Sequence, residues 1–335
     1  MKDLPDLVEA NVLPLLGVKD HVALAGVNRA CREAMKEVEA VGWLLSRGEE
    51  WDKVRLQPSS RRRYEVCATA AREGQLEVLQ WARDRGCQWN AGTCSGAAEG
   101  GHLDVLQWAR ANSCEWDERT CVHHAARGGH LEVLKWARGH GCVWDEWTCA
   151  WAARGGHLEV LKWAREHGCE WNERTCACAA LGGNLEVLKW ARENGCEWDE
   201  DTCAYAAEGG HLKVLQWARA NGCEWNAGTC ACAADGGQLE VLKWARANGC
   251  EWDVETCACA ADGGYLEILQ WARENGCEWD WATCSRAAGG GHLGVLKWAR
   301  GHGCEWNEDT CERADVGGHL EVLQWARENG CPEYV

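Results

Sequence analysis

The chain has 335 residues, 24 Trp, 24 Cys, no Phe and four Pro. No run of eighteen apolar residues occurs, so no membrane span is expected, and the opening MKDLPDLVEA lacks the apolar stretch of a secretory leader. The net charge of −17 is uneven: residues 1–65 balance 11 basic against 11 acidic side chains, leaving 24 against 41 for the rest, a sign that repels phosphate backbones and argues against nucleic acid as a partner.

Residues 4–34 read LPDLVEANVLPLLGVKDHVALAGVNRACREA. Leu-Pro opens the stretch. Val12, Leu13 and Leu16 then fall at helical spacing, followed by Asp20, Leu24 and Val27-Asn28-Arg29. This order resembles the F-box: LP, then I-L-x-x-L, then a D-L-x-x-L-x-x-V-N/C-R tail. Two positions depart from it. Pro14 sits inside the expected second helix, and Cys31 stands where the family often has Trp. The resemblance implies that residues 1–37 dock a Skp-family adaptor of a cullin–RING ubiquitin ligase through Leu4, Pro5, Val12, Leu13, Leu16, Leu24 and Val27. The rival reading is a helical cap over the open face of the first repeat.

Residues 38–65 form a junction. VEAVGWLLSRGEEWD (38–52) keeps the spacing of Trp43, Gly48 and Trp51 found further on, so it reads as a degenerate half-repeat. KVRLQPSSRRRYE (53–65) reads as a linker, and its Arg61–Arg63 run as a solvated basic turn or a nuclear signal.

From Val66 the chain repeats. Trp81, Trp108, Trp136, Trp163, Trp190, Trp217, Trp244, Trp271, Trp298 and Trp325 recur every 27 residues, with one interval of 28. Such a period is the signature of a stacked repeat array. The unit Thr202–Gly228 reads TCAYAAEGGHLKVLQWARANGCEWNAG. Its first half is small and apolar and stops at Gly209-Gly210. In its second half Leu212, Val214, Leu215 and Ala218 lie on one helical stripe that Trp217 widens, and Asn221-Gly222 ends the helix. Each unit is therefore a helix–turn–helix hairpin that buries its apolar face only by stacking.

T-C-A-x-A-A-x-G-G-H-L-E-V-L, ending in GCEWN or GCEWD, resembles the ankyrin repeat with its TPLHxAA, GH and GADVN. The resemblance runs over ten units, from about Val66 to Cys331. The unit is six residues shorter than the family's 33. One residue is missing from most first helices and is restored in TCVHHAA (Thr120–Ala126); five are missing where the family builds a β-hairpin finger. The expected fold is all-α: an elongated α-solenoid of about ten stacked ankyrin-like hairpins over residues 66–335, with fingers reduced or absent. Asp117, Asn172 and Asp199 suit helix N-caps. A large indole beside a small Ala is expected to fill the core where the family has a Val-Leu-Leu-like set, and the second Trp of each unit (Trp171, Trp198) to cement neighbours.

The cysteines and histidines follow the period. Cys94, Cys121, Cys149, Cys176 and Cys203 take the Pro slot of TPLH, and Cys87, Cys114, Cys142, Cys169 and Cys196 the Ala slot of GAD, both small and buried. Equivalent cysteines in neighbouring units, one helix-packing distance apart, are too far for a disulfide. The pairs Cys176/Cys178, Cys230/Cys232 and Cys257/Cys259 do not share a helix face, so neither metal nor cofactor is expected. His102, His130, His157, His211, His292 and His319 share one slot and His140, His167 and His302 another, and His123-His124 is the only irregular pair. No nucleophile elbow, phosphate loop or dinucleotide fingerprint occurs, so no enzyme is expected. The charged N-terminus favours an intracellular, reducing compartment, cytoplasmic or nuclear, and a monomer is expected.

Slots that vary between units are the place for a target protein. One follows Ala-Ala (Arg72, Glu99, Arg127, Arg154, Leu181, Glu208, Asp235, Asp262, Gly289, Val316); another precedes it; a third is the turn. Trp147, Trp151, Leu181, Tyr205, Tyr265, Trp281, Arg286 and Arg313 are the candidate target-binding residues, since Trp, Tyr and Arg dominate hot spots. Neutral drift would give the same variation. The acidic charge would speed encounter with a basic partner.

Overall fold

A computed structural model describes residues 60–84 and 86–332, with side chains from Val66 onward. The F-box-like segment and the half-repeat, residues 1–52, lie outside the described residues. Among those residues are twenty α-helices and no strand, arranged as ten hairpins. The first helices are α1 (Ser60–Arg72), α3 (Ala91–Gly100), α5 (Glu118–Gly128), α7 (Glu146–Gly155), α9 (Glu173–Leu181), α11 (Glu200–Glu208), α13 (Ala227–Asp235), α15 (Val254–Asp262), α17 (Trp281–Gly289) and α19 (Glu308–Val316). The second helices are α2 (Leu76–Asp84), α4 (Leu103–Ala111), α6 (Leu131–Gly139), α8 (Leu158–Glu166), α10 (Leu185–Glu193), α12 (Leu212–Ala220), α14 (Leu239–Ala247), α16 (Leu266–Glu274), α18 (Leu293–Gly301) and α20 (Leu320–Glu328). Ser60–Glu65, read as linker, is the first turn and a half of α1. No helix among the described residues is long and apolar enough to cross a membrane.

One hairpin shows why each unit folds. An Asn or Asp precedes the first helix and, at Asn172, Asn226, Asp253 and Asp280, its side chain accepts the hydrogen bond of a backbone N–H two residues on. Asp117 caps the longer α5 by accepting from Thr120 N–H. Asp199 stands in the same place but makes no cap hydrogen bond. The first helix ends at a Gly pair. In the α11–α12 hairpin Gly210 has φ +75° and His211 N–H reaches back to the Ala206 carbonyl at 2.8 Å. The second helix closes in a Schellman motif: Gly222 has φ +84°, Cys223 N–H bonds the Ala218 carbonyl at 3.0 Å and Gly222 N–H that of Arg219 at 3.2 Å. The Asn221 side chain covers one more carbonyl, Trp217, at 2.7 Å. His140, His167 and His302 do the same with Nδ1, which gives that histidine slot a capping role. Where the family has a finger, a four-residue loop such as Cys223–Asn226 runs directly into the next first helix.

By contacts the chain divides into two units: one through Ala152 together with Glu159–Cys169, the other Ala153–Leu158 with the residues from Glu170. Within the first, α1 packs on α3 and α3 on α5; within the second, α9, α11, α13, α15, α17 and α19 pack successively. Small residues permit this. Cys203, Ala206 and Ala207 are fully buried, and a Cβ on Gly236 would meet the Glu208 carbonyl oxygen of the preceding first helix at 2.0 Å. The second helices contribute Val214 and Leu215 with Ala218, again buried. Each such Leu contributes about 1.5–3 kcal/mol by leaving water.

The tryptophans are not the core. Of those described, only Trp81 is buried; the rest are half-buried and Trp281 is exposed. An indole is too wide for seams in which helix backbones approach this closely, so the rings line the edge of the stack. There the expected cementing does occur. Trp198 meets Trp217 of the next hairpin edge to face at 5.8 Å, and Trp225 meets Trp244 at 5.9 Å. Loop indoles also lie under an arginine of their own hairpin, as Trp198 under Arg192 at 4.2 Å and Trp225 under Arg219 at 4.3 Å.

Candidate protein-binding face

The repeat fixes most side chains in packing or capping, so the freedom to vary lies on the first helices and the turns before them. In the first unit this face is ionic and aromatic. Arg72 pairs with Glu99 at 3.0 Å, and His124 approaches the same carboxylate at 3.6 Å. His123 Nε2 lies 2.8 Å from Asp145, which also holds Arg119 at 3.2 Å. The two histidines beside the inserted position of α5 thus each face a carboxylate. Trp147 and Trp151 of α7 face each other at 6.3 Å, and Arg127 lies over Trp151 at 5.7 Å. These two anchors come together; both are half-buried.

In the second unit the candidates are spread over successive first helices. Leu181 and Tyr205 are half-buried on α9 and α11. Trp281, at 41% exposure, begins α17, and Arg313 is exposed on α19. Arg286 is engaged within the fold: it donates to Glu255 at 2.6 Å and to the Cys259 sulfur at 3.5 Å. Tyr265 is set apart. It occupies the slot that histidine fills in other units, and its ring lies against Gly237 and Gly263 as His211 lies against Gly183 and Gly209. The string GGY in place of GGH carried that information. Between Tyr205 and Arg286 the variable slot is acidic on three consecutive first helices, at Glu208, Asp235 and Asp262. Burial and the neighbouring Asp235 push the Glu208 carboxyl above its ordinary range. Lining up that slot reveals the column, but selecting aromatic and arginine anchors passed over it. Val316, 85% exposed at the end of α19, was also passed over as an anchor.

The shared histidines serve the stack. His130 Nε2 is 2.7 Å from the Glu99 carbonyl and His211 Nε2 3.1 Å from that of Leu181, each in the preceding hairpin, and Asn184 reaches the Arg154 carbonyl from the same slot at 2.8 Å.

The model of the family described as ankyrin repeats (many copies) matches residues 96–138 and 149–192. Among solved structures, the ankyrin repeat domain of human ASB11 is similar, with a TM-score of 0.37 and 18% identity over 47% of this chain and 84% of that one. No curated protein sequence matches significantly. The family model thus covers parts of four of the ten hairpins.

Proposed function

We propose that this chain is a non-enzymatic protein-interaction scaffold that holds a target protein on the variable face of its first helices. The observation that carries this reading is the separation of roles within each unit. Buried Cys, Ala, Val and Leu recur in phase, while exposed side chains of the first helices change sign and size from unit to unit. Trp147, Trp151, Leu181, Tyr205, Trp281 and Arg313 would supply contact area, and the Glu208–Asp235–Asp262 column favours a target with basic side chains. Tyr265 and Arg286 would contribute at the rim, because each already serves the fold.

The finer reading is a substrate-recognition subunit of a cullin–RING ubiquitin ligase. Residues 1–37 would bind a Skp-family adaptor, as the F-box resemblance of Leu4, Pro5, Leu13, Leu16, Leu24 and Val27 suggests. The chain would do no chemistry itself; rate gain would come from holding the target near another subunit's active site. The test is capture of purified Skp-family adaptor by the full chain and by a Leu13→Asp/Leu16→Asp variant. Capture by the first and not the second supports the ligase reading. No capture by either leaves an ankyrin-repeat scaffold with no ligase link. The target face is tested separately, by substituting Trp147 and Trp281 with Ala: unchanged affinity for a captured target in a folded protein removes them from the face.

A further inference from the structure

One edge of the first unit departs from the repeat in several places at once. Ser113 has φ 63°, where the matching loop residue of the other hairpins is a glycine in the same left-handed region. The helix that follows, α5, carries the inserted residue. Val143, 71% exposed, stands where the adjoining loops have Glu115 and Glu170. Arg110 lies 5.2 Å from the Trp116 ring, whereas Arg192, Arg246 and Arg300 lie 4.1–4.2 Å from theirs. At this edge, between the ends of α4 and α6, a cavity of about 420 Å³ is lined by Gln107, Arg110, Trp116, Glu118, Trp136 and His140, among others. That volume is within the range of small-ligand sites. Trp116 and Trp136 meet at 84° with centroids 5.8 Å apart, against 65–69° for Trp198–Trp217 and Trp225–Trp244. Both indoles are half-buried, and the four polar side chains around them are exposed.

We propose that this cavity binds a pyranose sugar. The lining decides the class. A cation would meet Arg110 and an anion Glu118, while a wholly apolar group would strip water from both without replacing it. A neutral ligand that both donates and accepts uses the two together. A sugar ring does so with its hydroxyls, and its face of C–H groups, slightly positive, suits the negative face of an indole. All four polar side chains are planar, so each can meet two neighbouring hydroxyls. Glu118 accepts, Gln107 does both, and Arg110 has donors beyond the one it gives the Cys114 carbonyl at 3.1 Å. His140 lies against the Trp136 ring at 4.2 Å and keeps it in place. The site is built from the ends of second helices and the loops after them, apart from the face assigned to a target, so it holds or fails whether or not that face binds one.

The test is saturation-transfer NMR on the reduced full-length protein with the methyl glycosides of glucose, galactose and mannose, with N-acetylglucosamine, and with choline as a cation of similar size. At least one sugar should receive saturation at its ring C–H protons, with a Kd on the order of 1 mM. Trp136→Ala and, independently, Glu118→Ala should each weaken that sugar about tenfold or more. Glu118 is exposed, so its removal spares the fold. Trp244→Ala, in the corresponding Trp225–Trp244 pair, should leave binding unchanged. No saturation of any sugar, binding that survives both Trp136→Ala and Glu118→Ala, or choline held more tightly than every sugar would overturn the assignment, the last result marking a cation cage. A high-mannose glycoprotein and its deglycosylated form then separate the two sources of such a ring. Capture of the first alone assigns the site to protein-borne glycans, and capture of neither, with free sugar bound, to soluble sugars.

Discussion

At residue 199 the repeat rule and the physics part company. Asp199 sits where Asn172 and Asn226 cap their helices, yet it makes no cap hydrogen bond and its Oδ1 is buried without a partner. Burial first, then the Asp201 charge, raise its carboxyl above the usual range. A raised carboxyl is most compatible with the fold below its unfolded-state pKa, and that compatibility is lost as pH rises through the folded value. Asp199→Asn should therefore stabilise the protein at pH 7 by about 0.5–1 kcal/mol, with the gain shrinking at pH 4, in urea melts at the two pH values. A variant less stable than the parent at pH 7 would contradict this. The residue type and spacing were legible in the sequence; the missing hydrogen bond was not, because Asp at this slot caps in other units. Glycines divide in the same way. Gly222 has φ +84° with open space around it, so Ala there should cost about 1 kcal/mol. Gly236 abuts the Glu208 carbonyl oxygen, so Ala there displaces a neighbouring helix and should cost more, readable as a larger fall in melting temperature.

Within a hairpin the helical stripe was plain in the sequence, and so were the breaks at Gly-Gly and Asn-Gly; which stripe residues form the core was not. Hydrophobicity ranks Trp217 beside Leu215, but closeness of approach decides. Leu215 is fully buried, whereas Trp217 is half-buried at the edge, supported by Trp198 at 5.8 Å. Leu215→Ala should thus cost about 2–5 kcal/mol and Trp217→Ala distinctly less, despite the larger group removed. Chemical denaturation of both variants checks the order, and a costlier Trp217→Ala would restore the indoles to the core. The α5 hairpin departs from the others, because its inserted residue places His123 beside Asp145 at 2.8 Å.

Across the molecule, one unit repeated ten times multiplies every feature, charge included. The repeats carry all of the −17, and the ion pairs set against it include exposed, local ones such as Lys162–Glu159 and Lys189–Glu186 at 2.9 Å three residues apart. Pairs of that kind contribute little, about 0.3–0.5 kcal/mol each, and salt weakens them. Like-charge repulsion is longer in range. Glu208, Asp235 and Asp262 face the same way on successive helices, and at about 10 mM salt the screening length of about 30 Å spans several of them. At about 0.15 M it falls to about 8 Å and the mutual repulsion is largely screened. The repulsive term should dominate, so the melting temperature should rise by several degrees from 10 to 150 mM NaCl and then level off. Asp235→Asn should reduce that rise, because it interrupts the column in the middle, and calorimetry at the two salt concentrations reads both effects. A melting temperature that falls with added salt would mean that the local ion pairs, rather than the acidic column, govern the stability of the array.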